Sequence, residues 1–410
     1  MTSNLSNVWF SVTPLQVASG HGSWVTTTDG DDYLDFAGGI AVNSTGHAHP
    51  AVVKAIADQA QRFIHAQVNV YRHDLLEPLA AKLTEITPPS IDRFFYANSG
   101  AEITEASVKL AKQATKRPNI IVFSGSFHGR THMAMAMTTS KTGYRAGHMP
   151  LPAGVFVAPY PDPLALDQVG EVARALQGLD HLLKSMTAPD ETAAMILEPV
   201  LGEGGYIPAP EAFIHGVVER CRQHGILFIA DEVQSGFGRT GHMFGVDHYG
   251  IDPDIICMAK GIASGFPFSA LGTSAELDAR WTKGSHGGTY GGNAMGCAAA
   301  LATIEIMSQP GFLANVRDRG EQLMSGLREL KRHDDGITHV RGLGLMVGTQ
   351  FSDPARVAAI QQHCLDEGRM IVMNAGTYGN VLRWMPPLIV DEHEIELGLA
   401  AFTAALKATS

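Results

Sequence analysis

Cysteine is scarce in this chain of 410 residues, and its cysteines stand far apart. They are Cys221, Cys257, Cys297 and Cys364, and none belongs to a Cys-x-x-Cys pair. This spacing argues against the disulfide framework of a small secreted domain and against a structural zinc site. We therefore expect reduced thiols, no bound metal and a reducing compartment.

Long apolar runs are missing as well. None approaches the roughly 20 residues that a bilayer-spanning helix needs, and residues 1–10 lack a basic segment followed by an apolar one. Basic residues are outnumbered, with 30 against 41 acidic residues and a net charge of −11. Such a charge repels nucleic acid and anionic lipid. We expect a cytoplasmic protein that binds small molecules, without nucleic-acid or membrane partners.

What the sequence does contain, from about residue 94 to 290, is an alternation of short apolar runs with longer amphipathic stretches. This alternation is typical of a mostly parallel central sheet flanked by helices, and so of the α/β fold class. Strands are predicted at 93–97, 119–123, 154–158, 194–198, 227–231 and 255–258, and crossover helices at 102–116 and 212–224.

The pattern changes after residue 289. A long alanine-rich helix is predicted at 293–309, a strand at 343–351 and another strand around 381–383. Two short N-terminal strands, at 23–28 and 33–36, are expected to pack against this region. The sequence therefore predicts a large domain at 46–292 and a smaller α+β domain at 293–410, with the N-terminal segment 1–45 packed against the smaller domain.

Two charged residues follow predicted strands. Asp231 ends the apolar run 225–230, and Lys260 follows the run 254–259. Parallel sheets bind ligands at the carboxyl ends of their strands, so both side chains should face one site. A buried carboxylate needs a cation opposite it, and burial lowers the pKa of a lysine, which makes its amine more nucleophilic toward an aldehyde. Taken singly, Asp231 could equally cap a turn and Lys260 could be a solvated loop residue.

Two glycine-containing loops could hold a phosphate. Ser99, Gly100 and Ala101 open a predicted helix, where main-chain amides and the helix dipole favour an anion. Thr289 lies in a second such loop, 286–292. Either segment alone could be an ordinary helix cap or turn.

An aromatic pair completes the set. Phe127 and His128 follow the strand predicted at 119–123, so an aromatic face could stack on a flat ring there, although a core position is commoner for a single phenylalanine. A buried acid, a strand-end lysine, an aromatic face and two phosphate loops together describe a pocket for pyridoxal 5'-phosphate (PLP). In this interpretation Lys260 binds the aldehyde as a Schiff base and Asp231 keeps the pyridine nitrogen protonated.

The chain resembles the class III aminotransferases, PLP enzymes of fold type I, over nearly its whole length. The resemblance is carried by residues 33–42, 45–50, 231–240, 260 and 380–383. It implies that Asp231 pairs with the pyridine nitrogen, that Val233 packs on the ring and that Gln234 contacts its phenolic oxygen. It also implies a homodimer with active sites at the interface, in which Thr289 reaches the phosphate of the neighbouring subunit.

Within this family the likeness is closest to 4-aminobutyrate aminotransferases. Arg130 resembles the arginine that binds the far carboxylate of the substrate, and Ile40 resembles the apolar residue beside it. Glu203 and Arg383 resemble a switch pair, in which the glutamate neutralises the arginine while an ω-amino acid is bound. It then releases the arginine to the α-carboxylate of glutamate or 2-oxoglutarate.

The expected reaction is therefore transamination between an ω-amino acid, such as 4-aminobutyrate, and 2-oxoglutarate, with Lys260 and Asp231 as catalytic residues. Acetylornithine, ornithine or ω-amine:pyruvate transamination remains open, as does a PLP-dependent lyase on the same fold. A nicotinamide dehydrogenase is disfavoured because the glycines of 342–348 have the wrong spacing. A zinc hydrolase built on His47 and His49 would lack further ligands.

Two positions depart from the family pattern. Phe127 stands where tyrosine is frequent, and Ala101 stands where serine is frequent. Each replacement removes one hydroxyl, so we expect the ring stacking and the phosphate loop to be kept and cofactor affinity to be somewhat lower.

Overall fold

A computed structural model describes residues 4–410 of the chain, so residues 1–3 of the predicted N-terminal segment 1–45 lie outside the described residues. The strands are β1 (Val17–His21), β2 (Trp24–Thr27), β3 (Asp32–Asp35), β4 (Arg93–Ala97), β5 (Asn119–Phe123), β6 (Val155–Ala158), β7 (Thr192–Leu197), β8 (Val200–Leu201), β9 (Ile207–Pro208), β10 (Leu227–Asp231), β11 (Ile255–Met258), β12 (Ser269–Thr273), β13 (Ile337–Leu343), β14 (Met346–Phe351), β15 (Met370–Ile371), β16 (Met373–Ala375) and β17 (Val381–Trp384).

The helices lie between these strands. They are α1 (Gly38–Ala41), α2 (Pro50–Arg62), α3 (Leu76–Ile86), α4 (Gly100–Thr115), α5 (His132–Met137), α6 (Gln168–Ser185), α7 (Glu211–His224), α8 (Ala275–Asp278), α9 (Ala294–Met307), α10 (Phe312–Arg332), α11 (Pro354–Asp366) and α12 (Glu392–Ala408). Short 3-10 turns span Thr142–Tyr144, Pro189–Glu191, Gly245–Tyr249 and Lys260–Ala263.

The central sheet has the strand order β4-β12-β11-β10-β7-β5-β6. Its strands pair in parallel from β11 to β6, and only β12 runs antiparallel to both of its neighbours. The predicted α/β fold with a mostly parallel sheet is confirmed, and every strand predicted between residues 93 and 258 is present with small shifts at its ends. β12, at Ser269–Thr273, was not predicted from the sequence.

Both faces of this sheet are buried, as in sheets covered by helices on two sides. Along β5, Ile121 and Phe123 pack into one hydrophobic cluster, whereas Ile120 and Val122 pack into the other. Successive side chains of a strand point to opposite faces, so a run of apolar residues supplies both clusters at once. This explains why the strand reads as an unbroken apolar run in the sequence.

The C-terminal region forms a second sheet in the order β13-β14-β17-β16. The strand predicted at 343–351 is present as β14, which begins three residues later at Met346, and a tight hairpin joins it to the antiparallel strand β13, which the sequence does not predict. Gly344 turns the chain with a φ of 53°, and a Cβ at this position would lie 2.4 Å from the carbonyl carbon of Thr240. The turn therefore depends on glycine both for its conformation and for its close approach to the neighbouring loop.

The N-terminal strands join a short sheet whose fourth member comes from the C-terminal region, because β3 pairs in parallel with β15. Glu394, in the first turn of α12, reinforces this junction. Its carboxylate accepts hydrogen bonds from Ser23 Oγ at 3.0 Å and Trp24 Nε1 at 2.8 Å, and from the Asp391 N–H in a capping box. Segments from the two ends of the chain are thereby held together.

Between residues 4 and 410, no single helix is long and apolar enough to cross a bilayer. The helices α9 and α10, bent by 71° with respect to each other, meet the length and composition criteria only when they are taken as a pair.

Candidate active site

The carboxyl ends of the parallel strands open onto a cavity of about 430 Å³. β10 ends at Asp231, while β11, paired beside it, ends at Met258 and leads through Ala259 to Lys260. The cavity is lined by Val42, Asn98, Ser99, Gly100, Ala101, Phe127, His128, Gly129, Arg130, Glu198, Asp231, Val233, Gln234, Ala259, Lys260, Gly265, Phe266, Pro267 and Phe268. The two strand-end residues expected to share a site do so.

Asp231 places its carboxylate in the buried floor of the cavity. Its Oδ2 lies 2.7 Å from Nδ1 of the fully buried His128, and its Oδ1 accepts a hydrogen bond from the Val233 N–H at 3.1 Å. The imidazole of His128 is thus a buried hydrogen-bond partner of the Asp231 carboxylate. The Nε2 atom of His128 is buried and has no hydrogen-bond partner among residues 4–410.

Lys260 stands at the start of a 3-10 turn, with its own backbone in the left-handed region at a φ of 46°. Burial lowers the pKa of Lys260 to about 8, even though the charge of Glu203 acts to raise it. Within residues 4–410 its Nζ makes no hydrogen bond and no ion pair. An unpartnered amine with a lowered pKa is suited to react with an aldehyde.

The predicted phosphate loop lies at the N-terminus of α4. Ser99 is the N-cap, and its hydroxyl accepts from the Glu102 N–H at 3.3 Å and donates to the Glu102 carboxylate at 2.9 Å. The first N–H groups of a helix have no partner inside it, and here they belong to residues that line the cavity. At Gly100 a Cβ would lie 2.8 Å from Val233 Cγ1. The main chain therefore approaches the cavity wall more closely than a residue with a side chain could.

Glu198 lies in the same cavity and was not singled out from the sequence. Its carboxylate accepts hydrogen bonds from the N–H groups of Phe127 and Gly202, each at 2.8 Å. Burial raises its pKa to about 7, and the charge of Asp231 adds to this effect. One acid therefore fixes both the aromatic wall and the loop that begins at Gly202. It carries the same sequence signal as Asp231, a carboxylate at the end of an apolar strand.

Gln234 is held by a residue outside the cavity lining. Its side-chain oxygen accepts a hydrogen bond at 2.7 Å from the hydroxyl of Tyr206, which is fully buried. The amide nitrogen is thereby turned away from the tyrosine. Tyr206 also lies beneath the guanidinium of Arg383, whose Cζ is 5.7 Å from the ring centroid.

Glu203 and Arg383, 180 positions apart in the sequence, form an ion pair. The distance from Arg383 Nη1 to Glu203 Oε1 is 2.5 Å, and the two side chains are 3% and 12% exposed. The guanidinium of Arg383 and its hydrogen bond lower the pKa of the Glu203 carboxyl, against the opposing effect of burial. Since a desolvated charge is costly without its partner, each member holds the other in place.

Arg130 lies at the mouth of the cavity with an exposed side chain. Its guanidinium carbon is 4.7 Å from the ring centroid of Tyr144, a residue that the sequence did not indicate. Tyr144 packs edge-on against Phe127, with centroids 5.2 Å apart, and donates its hydroxyl to Glu203 Oε2 at 3.0 Å.

Four of the predicted site residues, Ile40, Glu203, Thr289 and Arg383, do not line this cavity. Ile40 is 40% exposed on α1 with a φ of 65°, and Thr289 is exposed in the loop 286–292. The histidines considered for a metal site have other partners. His47 Nε2 lies 2.8 Å from Asp35 Oδ2, and His49 caps α2 by accepting from the Ala51 N–H.

Residues 5–406 match the family model of the class-III aminotransferases. The chain belongs to this family. Class-III aminotransferases are PLP-dependent enzymes, so this chain is a PLP-dependent transaminase, whose substrates are a small-molecule amino donor and a keto acid.

Curated relatives are similar to this aminotransferase over almost their whole length. A 5-aminovalerate aminotransferase of Pseudomonas putida is 38% identical over 94% of this chain and 92% of its own. An acetylornithine aminotransferase of Methanothermobacter thermautotrophicus is 39% identical over 93% and 91% of the two chains. A 4-aminobutyrate aminotransferase of Escherichia coli is 37% identical over 92% and 89%.

A solved structure agrees with the fold. The amine transaminase of an uncultivated Pseudomonas species, in its PLP-bound form, superposes with a TM-score of 0.91 and 28% identity. The superposition covers 100% of each chain.

The side chains of this aminotransferase fit the cofactor. The cavity volume is within the range of small-molecule sites, and the walls supply an unpartnered amine at Lys260 and a buried acid at Asp231. The Gly100 backbone, too close to Val233 to carry a side chain, leaves the end of α4 accessible to an anion. The residues that fit the cofactor are therefore ones that the sequence indicates: Lys260 as the amine, Asp231 as the acid and Gly100 at the helix end that favours an anion.

Proposed function

We propose that this aminotransferase moves the amino group of an ω-amino acid, such as 4-aminobutyrate, to 2-oxoglutarate, giving the semialdehyde and glutamate. The observation that carries the proposal is the buried ion pair of Glu203 with Arg383 at 2.5 Å. An ω-amino acid has no carboxylate beside its reacting carbon, so an arginine there needs a counter-charge from the protein. Glutamate and 2-oxoglutarate bring their own α-carboxylate, which can take the place of Glu203 on Arg383.

The far carboxylate of both kinds of substrate is assigned to Arg130. Its guanidinium makes no hydrogen bond or ion pair with any of residues 4–410, and it stands at the cavity mouth. A guanidinium can bind a carboxylate through two parallel N–H donors. Arg130 and Arg383 would then fix the two ends of a dicarboxylate, whereas an ω-amino acid would use Arg130 alone.

The cofactor, when bound, supplies an electron sink for the carbanion formed at the substrate carbon. Asp231 would hold a proton on the pyridine nitrogen, with His128 hydrogen-bonded behind it. Val233 and Phe127 would enclose the ring, and Gln234 would contact its phenolic oxygen. Lys260, as a neutral amine, would move the proton at the substrate carbon, a step that general-base catalysis speeds by roughly 10²–10⁴-fold.

The test is a donor and acceptor screen combined with Glu203→Gln. We expect 4-aminobutyrate or 5-aminovalerate with 2-oxoglutarate to be the preferred pair, followed as glutamate formed. Glu203→Gln removes the counter-charge of Arg383, so kcat/KM for the ω-amino acid should fall by roughly 10–100-fold, while that for glutamate should stay the same or rise because no carboxylate has to be displaced from Arg383. The matched control is Glu211→Gln, an exposed acid at the start of α7.

A wild-type enzyme that prefers pyruvate over 2-oxoglutarate would contradict the proposal. Acetylornithine is the second candidate donor, because a relative of that name is as similar to this chain as the others. Acetylornithine carries an α-carboxylate beside an acylated nitrogen in addition to its terminal amine. Preference for it over 4-aminobutyrate in the same screen would identify that activity, and turnover without consumption of keto acid would identify a lyase.

A further inference from the structure

Tyr144 connects two parts of the active site that bind different carboxylates. Its hydroxyl donates to Glu203, the partner of Arg383, while its ring lies under the guanidinium of Arg130. It belongs to the 3-10 turn Thr142–Tyr144 and not to a strand end.

The hydroxyl of Tyr144 is a donor at any working pH. Burial raises its pKa to about 12, and the neighbouring Glu203 carboxylate acts in the same direction. Glu203 is consequently held on both of its oxygens, with Oε1 facing Arg383 and Oε2 facing the tyrosine. A carboxylate fixed in this way cannot rotate away from Arg383 without breaking the bond to Tyr144.

The ring of Tyr144 acts on Arg130 in a different way. A guanidinium held over an aromatic ring makes its contact through a face, whereas its N–H donors lie in its own plane. The in-plane donors of Arg130 thus remain available for a carboxylate while the group itself is kept in position. Phe127, packed edge-on against the same ring, limits where that ring can lie.

We propose that Tyr144 is a positioning residue that holds Glu203 on Arg383 and supports Arg130, and that it thereby sets the preference between ω-amino acids and α-amino dicarboxylates. The inference rests on the proposed function, since it concerns the same pair of substrate classes. Binding of an ω-amino acid is favoured when Glu203 is held in place, because the charge of Arg383 then stays neutralised. A dicarboxylate has to displace Glu203, so the same bond opposes it.

The first experiment compares the two half-reactions of the holoenzyme in Tyr144→Phe by single-turnover absorbance measurements. We expect kcat/KM for 4-aminobutyrate to fall by roughly 3–30-fold, which is less than the full loss of one hydrogen bond to a charged group because Tyr144 acts on the substrate only through Glu203. The value for glutamate should stay the same or rise, and its KM should fall. Tyr378→Phe is the matched control, because Tyr378 is 81% exposed and its variant should resemble the wild type.

The second experiment needs no turnover. Glutarate and butyrate are titrated into the holoenzyme, and their dissociation constants are read from the cofactor spectrum. The Tyr144→Phe variant should bind glutarate more tightly than the wild type does, because Glu203 is displaced more easily from Arg383. Its dissociation constant for butyrate should be unchanged. Tyr144→Leu also removes the support of Arg130 and should weaken butyrate by several-fold.

Equal losses in both half-reactions of Tyr144→Phe would reduce the tyrosine to a structural role and overturn the inference. Unchanged half-reactions, or an unchanged ratio of the glutarate and butyrate constants, would overturn it as well. If the wild type rejects 4-aminobutyrate, the proposed function fails by itself, and the ratio of the two dissociation constants still decides the role of Tyr144.

Discussion

Lys260 combines three features that rarely occur in one lysine: a position inside a cavity, a left-handed backbone and an amine without a partner among residues 4–410. A group with a pKa of about 8 is roughly one-tenth neutral at pH 7, against about 0.03% at the ordinary value of 10.5. The lowered pKa, of which burial is the largest cause, therefore increases the reactive fraction of the amine by more than a hundredfold near neutrality.

This shift predicts how the pH affects cofactor uptake. The neutral amine is the reactive form, so reconstitution of the cofactor-free protein with PLP should accelerate as the pH rises toward 8 and level off above it. An unburied lysine would still be accelerating at pH 10. Stopped-flow absorbance measures the rate, and Lys260→Arg, which keeps the charge, is the control that should not react. A rate that continues to climb tenfold per pH unit beyond pH 9 would show that the amine is not desolvated.

The site was predictable from the sequence to the extent that its residues end strands. Asp231 and Lys260 could be found because each follows an apolar run. Glu198 carried the same signal, but its partners are main-chain N–H groups of two loops, which no side-chain pattern reveals. Tyr144 had no signal, since it stands on a short turn and meets Glu203 only through the tertiary fold.

At the level of elements, the strands of the central sheet were predictable and their directions were less so. β12 carries small residues, with the run Ser269–Thr273 reading Ser-Ala-Leu-Gly-Thr, so its apolar character is weak although all five residues are buried. Gly272 lies where a Cβ would be 2.5 Å from Ile91 Cγ2. Tight packing from neighbouring elements, and not local propensity, makes this segment a strand.

The hairpin β13–β14 shows a second limit of predicting strands from the sequence. The alternation of apolar residues continues through its turn, so the sequence reads as one strand from 343 to 351. Only the positive φ of Gly344 and its contact with Thr240 decide that the chain reverses there. Contacts between residues far apart in the sequence do not alter the periodicity of its apolar residues, so the pattern cannot reveal this turn.

An element-scale prediction concerns the N-terminus of α12. Glu394→Ala removes the acceptor of Ser23, of Trp24 and of the Asp391 N–H, so we expect a loss of roughly 2–4 kcal/mol in the free energy of unfolding. Urea unfolding followed by circular dichroism measures it. Glu396→Ala is the matched control on the same helix, because its ion pair with His393 is exposed and 3.8 Å long. Equal effects of the two variants would mean that the junction with β2 contributes nothing.

At the scale of the molecule, two of the four predicted site residues that do not line the cavity of their own chain are exposed to solvent. Ile40 and Thr289 are exposed, and the family resemblance assigns Thr289 to the phosphate of a neighbouring subunit. We propose that two chains combine so that each provides these residues to the site of the other. The division into 1–45, 46–292 and 293–410 is likewise a proposal, supported by the pairing of β3 with β15.

The dimer is tested by mass and by a variant. Light scattering should give about twice the 43.8 kDa of one chain. Thr289→Val should raise the dissociation constant of PLP several-fold although the residue does not line its own cavity, because one hydrogen bond to a charged group is lost. Thr282→Val, at an exposed position in the preceding segment, is the control. A fully active monomer would contradict the shared site.

The antiparallel direction of β12 determines how the loop that carries Lys260 is anchored to the sheet. Since Met258 pairs with Ala270 and Ser269 pairs with Ala97, the connection 259–268 leaves the sheet and returns to it at the same edge. The reactive amine is therefore mounted on a short loop clamped at both ends, and the returning half of that loop, Gly265 to Phe268, forms a wall of the cavity. The position of the amine and the position of this wall therefore both depend on the course of one loop, whose two ends are fixed by the pairing of β11 with β12.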